Sequence, residues 1–147
     1  MSKPVIIDSS LLIEYIKGGR SKLLLELMND TEFECFVNET IVSEFLFYWL
    51  GVNGGKSPLS LQSSRGIQTL INNNQSFQLL ESFSFYPTNE QIYSLVPQFM
   101  SKYNLLPNDA IILATCKMHG ITKLPSHDTD FTIPCQEEGI ELLIEKD

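Results

Sequence analysis

The sequence predicts an α/β protein in which a parallel sheet carries helices on both faces. Two observations lead to this prediction. Short apolar segments typical of buried strands alternate along the chain with longer segments whose apolar residues recur at helical spacing. The chain also has 147 residues, of which 43% are hydrophobic, and this fits one globular domain over residues 1–147. Because ligands bind open parallel sheets beyond the carboxyl ends of the strands, functional residues are expected there.

The first part of the chain is predicted to form two strands and three helices. The strand segments are KPVII and FECFV. The helical segments are DSSLLIEYI, SKLLLELMND and NETIVSEFLFYWL. Asn38 stands where its side chain can cap the third helix. Each strand is followed by a helix, which is the arrangement that parallel pairing requires.

The stretch GVNGGKSPLSLQSS, from Gly51 to Ser64, has the composition of a loop, and we predict a loop insertion over residues 51–64. It resembles part of a phosphate-binding loop. That motif places four residues between its first glycine and the Gly-Lys pair, whereas three separate Gly51 from Gly55. A helical pattern, not a strand, precedes the segment. ATP binding is therefore not expected.

The second part of the chain is predicted to alternate between helices and strands. The helical segments are RGIQTLINN, FQLLES, TNEQIYSLVPQFMSKYN and LPNDAIILATCKMHG. The strand segments are FSFYP, ITKLPSHD and IELLIE. Pro97 is expected to bend its helix. The last helix has Pro107 in its first turn and Gly120 at its end, the asymmetry typical of helix termini.

The net charge of −8 limits the functions open to this chain. A protein that holds nucleic acid through its phosphates usually carries a basic surface. Either the protein does not bind nucleic acid alone, or its acids are concentrated where a metal ion neutralises them. The cations expected to contact phosphates are Lys17, Arg20, Lys22, Lys56 and Arg65.

Cysteine use and hydropathy exclude several classes of protein. Cys35, Cys116 and Cys135 are odd in number and widely spaced, which argues against a disulfide framework or a zinc site. No apolar segment approaches the ~18 residues of a membrane-spanning helix, and the first residues lack a signal-peptide core. We therefore expect a soluble, cytoplasmic protein with no membrane partner.

Four acidic residues are candidates for a shared site: Asp8, Glu44, Asp109 and Asp128. Taken singly, three of them have structural explanations. Asp8 can cap the first helix, Asp109 can interact favourably with a helix dipole, and Asp128 suits a turn. Glu44 differs because it lies in the middle of a helix among apolar and aromatic residues, where a carboxylate without a partner is costly.

Considered together, the four acids indicate a metal site. If the first and fourth strands are neighbours, the carboxylates converge in one cleft, and their mutual repulsion raises their pKa values. A divalent cation relieves this repulsion, and carboxylate oxygens favour Mg²⁺ or Mn²⁺ over zinc. Such a cation activates water and orients a phosphodiester. Metal-dependent phosphodiester hydrolysis is the chemistry that follows.

Four segments resemble, in order and spacing, the four acidic motifs of PIN-domain nucleases: VIIDSSLLIEYI, NETIVSEF, LPNDAIILATC and LPSHDTDF. The likeness spans nearly the whole chain and is greatest to the VapC-like toxin ribonucleases of toxin–antitoxin pairs. It implies a three-layer α/β/α sandwich with a central parallel sheet of four to five strands. It also implies an Mg²⁺- or Mn²⁺-dependent endoribonuclease that acts on RNA, forms a homodimer and is restrained by an antitoxin protein.

The resemblance also implies a set of site residues by position. Those expected to be both catalytic and metal-binding are Asp8, Glu44, Asp109 and Asp128. Asp130 is a further expected metal ligand. The residues expected to support the site are Ser9, Ser10 and Ser126, of which Ser126 replaces the more usual threonine. His127 is considered as a general base and is not favoured, because neighbouring residues on an extended segment face opposite ways.

Two other interpretations stay open. The same fold can act without catalysis, as a module that binds protein or RNA; the acidic net charge favours this, and the full set of acids opposes it. A phosphoryl-transfer or receiver-type domain built around Asp8 ranks last. Hydrolases of that type need a second aspartate two residues later, where this chain has Ser10, and receiver domains need a pair of acids after the first strand.

Overall fold

Five parallel strands form the centre of the computed structural model, which describes residues 2–73 and 77–147. They are β1 (Lys3–Ile6), β2 (Phe33–Val37), β3 (Ser84–Phe85), β4 (Lys123–Pro125) and β5 (Glu141–Leu143). β2 pairs with both β1 and β3, and β4 pairs with β5, in parallel throughout. The two groups meet where the backbone N–H of Asp8 donates to the carbonyl of Pro125 at 3.2 Å. The strands therefore run in the order β3, β2, β1, β4, β5, and β1 and β4 are neighbours.

The described residues also form nine helices. The first five are α1 (Ser9–Ile16), α2 (Lys22–Asn29), α3 (Glu39–Gly54), α4 (Pro58–Ser63) and α5 (Ile67–Asn73). The others are α6 (Phe77–Glu81), α7 (Ile92–Tyr103), α8 (Pro107–His119) and α9 (Thr132–Glu138). A 3₁₀ turn over Thr129–Phe131 precedes α9, and neither of these two elements was predicted from the sequence. Among the helices of the described residues, none has the length and apolar character needed to cross a membrane.

The burial of β1 shows why the predicted three-layer α/β/α sandwich is correct. Val5, Ile6 and Ile7 are consecutive and have no exposed surface. Because successive side chains of a strand point to opposite faces, both faces of the sheet must be covered by helices. Burying each such side chain contributes about 1.5–3 kcal/mol, and β-branched residues also favour extended backbone. The apolar run after the N-terminus is thus sufficient to specify a central strand.

Two helix termini are held where the sequence predicts them. The Asn38 side chain caps α3 by accepting from the N–H of Ile41 at 2.9 Å. Its amide nitrogen also donates to the hydroxyl of the buried Thr115 at 2.9 Å, which joins the start of α3 to α8. α8 begins at Pro107 and ends at Gly120, whose φ of 64° is a left-handed conformation that glycine adopts without strain.

The prediction of a loop over residues 51–64 is wrong, because most of this stretch is helical. α3 continues through Gly54, and α4 begins at Pro58 after Ser57 accepts a capping bond from the N–H of Ser60. Leu61 is only 3% exposed and approaches Gly54 so closely that a Cβ atom there would lie 2.6 Å from its Cδ1 atom. Burial of Leu61 against a glycine therefore outweighs the low helix propensity of the glycines, about 1 kcal/mol each.

Candidate functional site

The predicted acids meet at the carboxyl ends of β1 and β4, where a cleft of about 400 Å³ opens. Its acidic lining residues are Asp8, Glu14, Glu44, Asp109 and Asp128. Parallel strands bring their carboxyl ends to one edge of the sheet, and the helices that follow begin there. α1 begins directly after Asp8, and Asp109 lies in the first turn of α8. The four positions therefore converge because β1 and β4 are neighbours.

Asp8 is the most enclosed acid of the cleft, with 3% of its surface exposed. It occupies the N-cap position of α1, yet its side chain makes no capping hydrogen bond. Its Oδ2 atom instead accepts from the hydroxyls of Ser10 at 2.6 Å and Ser126 at 2.7 Å. The structural role considered from the sequence is therefore not the one that its carboxylate performs. Both serines hold the carboxylate in the cleft.

The same two serines link β1 to the segment after β4. Ser126 is fully buried, and its hydroxyl accepts from the N–H of Asp128 at 2.8 Å. The Ser10 hydroxyl accepts from the N–H of His127 at 3.0 Å. The two hydroxyl oxygens lie 3.3 Å apart, and each uses its one hydrogen on Asp8. This network fixes the separation between Asp8 and Asp128.

Glu44 is held by two partners from different helices. Its Oε1 atom accepts from the hydroxyl of Ser9 at 3.0 Å, and its Oε2 atom accepts from the amide of Asn108 at 3.1 Å. These bonds supply the partners that a half-buried carboxylate needs. The sequence analysis did not identify Asn108. Its position beside Asp109 in the first turn of α8 was the signal that could have found it.

Asp109, Asp128 and Asp130 form the tightest carboxylate cluster of the described residues. One ligand atom from each lies within 4.8 Å of the others. The Oδ1 atom of Asp128 also accepts from the N–H of Asp130 at 2.9 Å, at the start of the 3₁₀ turn. Asp130 is exposed and does not line the cleft, but the turn brings its carboxylate beside the other two. A hard divalent cation is the kind of ligand that such an oxygen set accepts.

The electrostatics of the cleft favour a bound cation. Burial raises the pKa of Asp109 to about 7, and the charges of Asp128, Asp8 and Glu44 raise it further in the same direction. The pKa of Asp8 is also raised, mainly by burial, although its hydrogen bonds with Ser10 and Ser126 oppose the shift. Without a cation the cluster therefore tends to retain protons near neutral pH. A divalent ion would stabilise the ionised carboxylates, so the residues fit the group that the donor set implies.

Other candidates from the sequence divide into two groups. Lys17 and Arg20 line the cleft, whereas Lys22, Lys56 and Arg65 do not. His127 also lines it, and its Nε2 atom is buried without a hydrogen-bond partner among residues 2–73 and 77–147. No hydrogen bond within that part of the chain joins its ring to an acid of the cluster.

Comparison with known proteins identifies relatives over most of the chain. The family model described as PIN domain matches residues 5–134. The chain is 31% identical to ribonuclease VapC2 of Methanocaldococcus jannaschii over 128 residues, which is 86% of each chain. It is 32% identical to ribonuclease VapC6 of the same organism over 146 residues, covering 86% of this chain and 90% of the relative.

Solved structures show the same fold. A toxin–antitoxin complex from Klebsiella pneumoniae contains a chain that superposes with a TM-score of 0.57 and 22% identity, over 95% of both chains. At this identity the likeness concerns the fold alone.

Proposed function

The chain belongs to the PIN domain family, and from this premise we propose that it is a divalent-metal-dependent endoribonuclease that serves as the toxin of a toxin–antitoxin pair. The observation that carries the proposal is the convergence of Asp8, Glu44, Asp109 and Asp128 in one cleft, beside Asp130. Carboxylates from distant parts of a chain are costly to gather unless a cation or a reaction requires them.

We assign roles to these residues as follows. The proposed catalytic residues are Asp8, Glu44, Asp109 and Asp128, and the proposed ligands of Mg²⁺ or Mn²⁺ are these four with Asp130. When bound, such an ion lowers the pKa of a water and neutralises charge on the phosphodiester. Ser10 and Ser126 orient the Asp8 carboxylate through its Oδ2 atom. Ser9 and Asn108 orient Glu44, one through each carboxylate oxygen.

The substrate and partners are proposed from the relatives. Two proteins about a third identical to this chain are named ribonucleases, which supports RNA as the substrate. A structural neighbour comes from a toxin–antitoxin complex, which supports an antitoxin protein as the restraining partner. We further propose that the protein acts in the cytoplasm as a homodimer.

A catalytically silent domain that binds RNA or protein is the second candidate. The net charge of −8 favours it, because phosphate binding is weakened by a surrounding negative potential. Against it stands the placement of cations: Lys17 and Arg20 line the same cleft as the acids. A basic edge next to an acidic centre suits an enzyme that must bind the strand it cuts.

The test of the proposed function is cleavage of a mixture of single-stranded and structured RNAs by the purified protein. Reactions contain Mg²⁺, Mn²⁺ or EDTA, and Mn²⁺ binding is measured separately by calorimetry. Asp8→Asn should abolish cleavage and weaken Mn²⁺ binding while circular dichroism stays unchanged. Glu90→Gln, which neutralises an exposed acid outside the cleft, is the matched control and should retain both activities. Cleavage that persists in EDTA or in Asp8→Asn would contradict the proposal, and absence of both cleavage and Mn²⁺ binding in the wild type would favour the silent domain.

A further inference from the structure

The cleft has a second region, next to the acids, whose chemistry is different. Lys17, Arg20 and Tyr48 line it together. Lys17 directly follows α1 and Arg20 lies three residues later, whereas the acidic region surrounds the opposite, N-terminal end of this helix. α1 has eight residues, so the two regions are separated by about 12 Å along its axis. A phosphate held by these cations is therefore not the phosphate that the acids would process.

The cations of this region are available to an anionic ligand. Within the described residues Lys17 has no ion-pair partner. Arg20 approaches Glu14 at 3.7 Å, but its side chain is 57% exposed, and exposed pairs of this kind contribute little. A guanidinium also offers five donors, most of which this contact leaves free. Two cations at one edge of a cleft, in a chain of net charge −8, indicate attraction of a phosphate to that edge.

Tyr48 supplies an aromatic surface beside these cations. It follows Glu44 by one helical turn, so the two side chains lie on the same side of α3. The ring is 52% exposed, although it lines the cleft. Its neighbour Phe47 contacts it edge to face, with ring centroids 5.9 Å apart and planes at 85°. This contact orients an exposed ring, which is the surface on which an unpaired nucleobase stacks.

We propose that this region binds one nucleotide of single-stranded RNA next to the bond that is cleaved, with Lys17 and Arg20 holding its phosphate and Tyr48 stacking on its base. The inference rests on the proposed function and specifies how the substrate is held. Stacking on Tyr48 requires a base that is not enclosed in a duplex, so the region selects single strands.

RNA binding is measured apart from cleavage, by fluorescence anisotropy in the Asp8→Asn background with a labelled short single strand. Tyr48→Ala should weaken binding roughly fivefold to a hundredfold, the range that loss of one stacked base produces. Tyr48→Phe retains the ring and should restore affinity. Tyr93→Ala removes a tyrosine that is 82% exposed outside the cleft and serves as the matched control. Lys17→Ala with Arg20→Ala should lower the slope of log affinity against log salt by about 1.4, for two phosphate contacts on a single strand.

RNAs with one abasic position separate stacking from a structural effect. One abasic position should weaken binding to the Tyr48 protein, and at that position Tyr48→Ala should cause no additional loss. Equal losses of Tyr48→Ala on intact and abasic RNA, or no loss at all, would overturn the proposal. A change in oligomeric state with unchanged RNA affinity would also overturn it, because the ring would then serve a protein interface. Absence of cleavage in the wild type concerns the proposed function, since it leaves the binding measurement intact.

Discussion

Ser126 donates its hydroxyl to the Oδ2 atom of Asp8 at 2.7 Å, across 118 positions of the chain. The same oxygen accepts from the N–H of Asp128 at 2.8 Å. One buried hydroxyl thus positions an acid at the end of β1 and another after β4. The site is assembled through this residue as well as through the carboxylates themselves.

Ser126→Ala should weaken Mn²⁺ binding by about tenfold to a hundredfold, the usual effect of removing a group that orients a metal ligand. It should also lower the free energy of unfolding by about 1–3 kcal/mol, because the N–H of Asp128 loses its acceptor. Calorimetric titration and urea denaturation measure the two effects. Ser126→Thr keeps the hydroxyl and is the matched control. Equal Mn²⁺ affinities for the alanine variant and the wild type would show that this oxygen does not orient the site.

Asn108→Ala should reduce cleavage with little change in stability. The amide of Asn108 donates to Oε2 of Glu44, and its removal frees that carboxylate to leave its position. Since Asn108 is exposed, the free energy of unfolding should change by less than about 0.5 kcal/mol. We expect kcat to fall by about tenfold or more, as for other residues that orient a ligand. Asn72→Ala, which alters an exposed amide of α5 outside the cleft, should have no effect on kcat.

In EDTA, the free energy of unfolding should decrease as the pH rises from about 5 to about 8, because of Asp109. Its pKa is raised from 3.8 to about 7 by burial and by neighbouring acids, so the folded protein binds this proton more tightly than the unfolded chain. The resulting stabilisation is complete below the unfolded pKa and is lost as the pH passes through the folded pKa. Urea denaturation at a series of pH values measures it.

The isosteric Asp109→Asn variant isolates this contribution. The difference in unfolding free energy between variant and wild type should grow in favour of the variant as the pH rises. Saturating Mn²⁺ should remove the dependence in the wild type, because the cation takes the place of the proton. A difference that is independent of pH would show that Asp109 titrates at its ordinary pKa.

Two glycines of α3 should respond in opposite ways to alanine. At Gly54 an added Cβ atom would lie 2.6 Å and 2.8 Å from the Cδ atoms of the buried Leu61, so Gly54→Ala should destabilise the protein by about 1–3 kcal/mol. At Gly51 the nearest atom would be 3.8 Å away, so Gly51→Ala should stabilise it by about 0.5–1 kcal/mol through helix propensity. Thermal unfolding measures both. Similar shifts at both positions would contradict the packing of Leu61 on Gly54.

The sequence was sufficient for elements whose pattern is local. Val5, Ile6 and Ile7 form a continuous apolar run, and such a run specifies a strand buried on both faces. Asn38 precedes an apolar helix and caps it. The acids follow these strands or begin the next helices, so the rule for parallel sheets was enough to place them at one edge.

The sequence was not sufficient where a distant residue changes the local preference. The glycines after Gly51 have the composition of a loop, yet they continue α3 because Leu61 needs a surface without side chains against which to pack. The turn after Asp128 was expected, but its continuation into a 3₁₀ turn and α9 was not. Local propensity is worth about 1 kcal/mol per residue, and burial of one leucine can exceed it.

The sequence alone therefore determined the kind of fold, the family and the acids from which a site can be built, because periodicity and motif order are properties of neighbouring residues. Only the tertiary structure decided which hydroxyl or amide holds each acid. Ser9 and Glu44 are 35 positions apart, and Glu44 and Asn108 are 64 apart. A hydrogen bond requires its atoms to lie within about 3 Å, and no pattern along the chain reports that distance between residues so far separated.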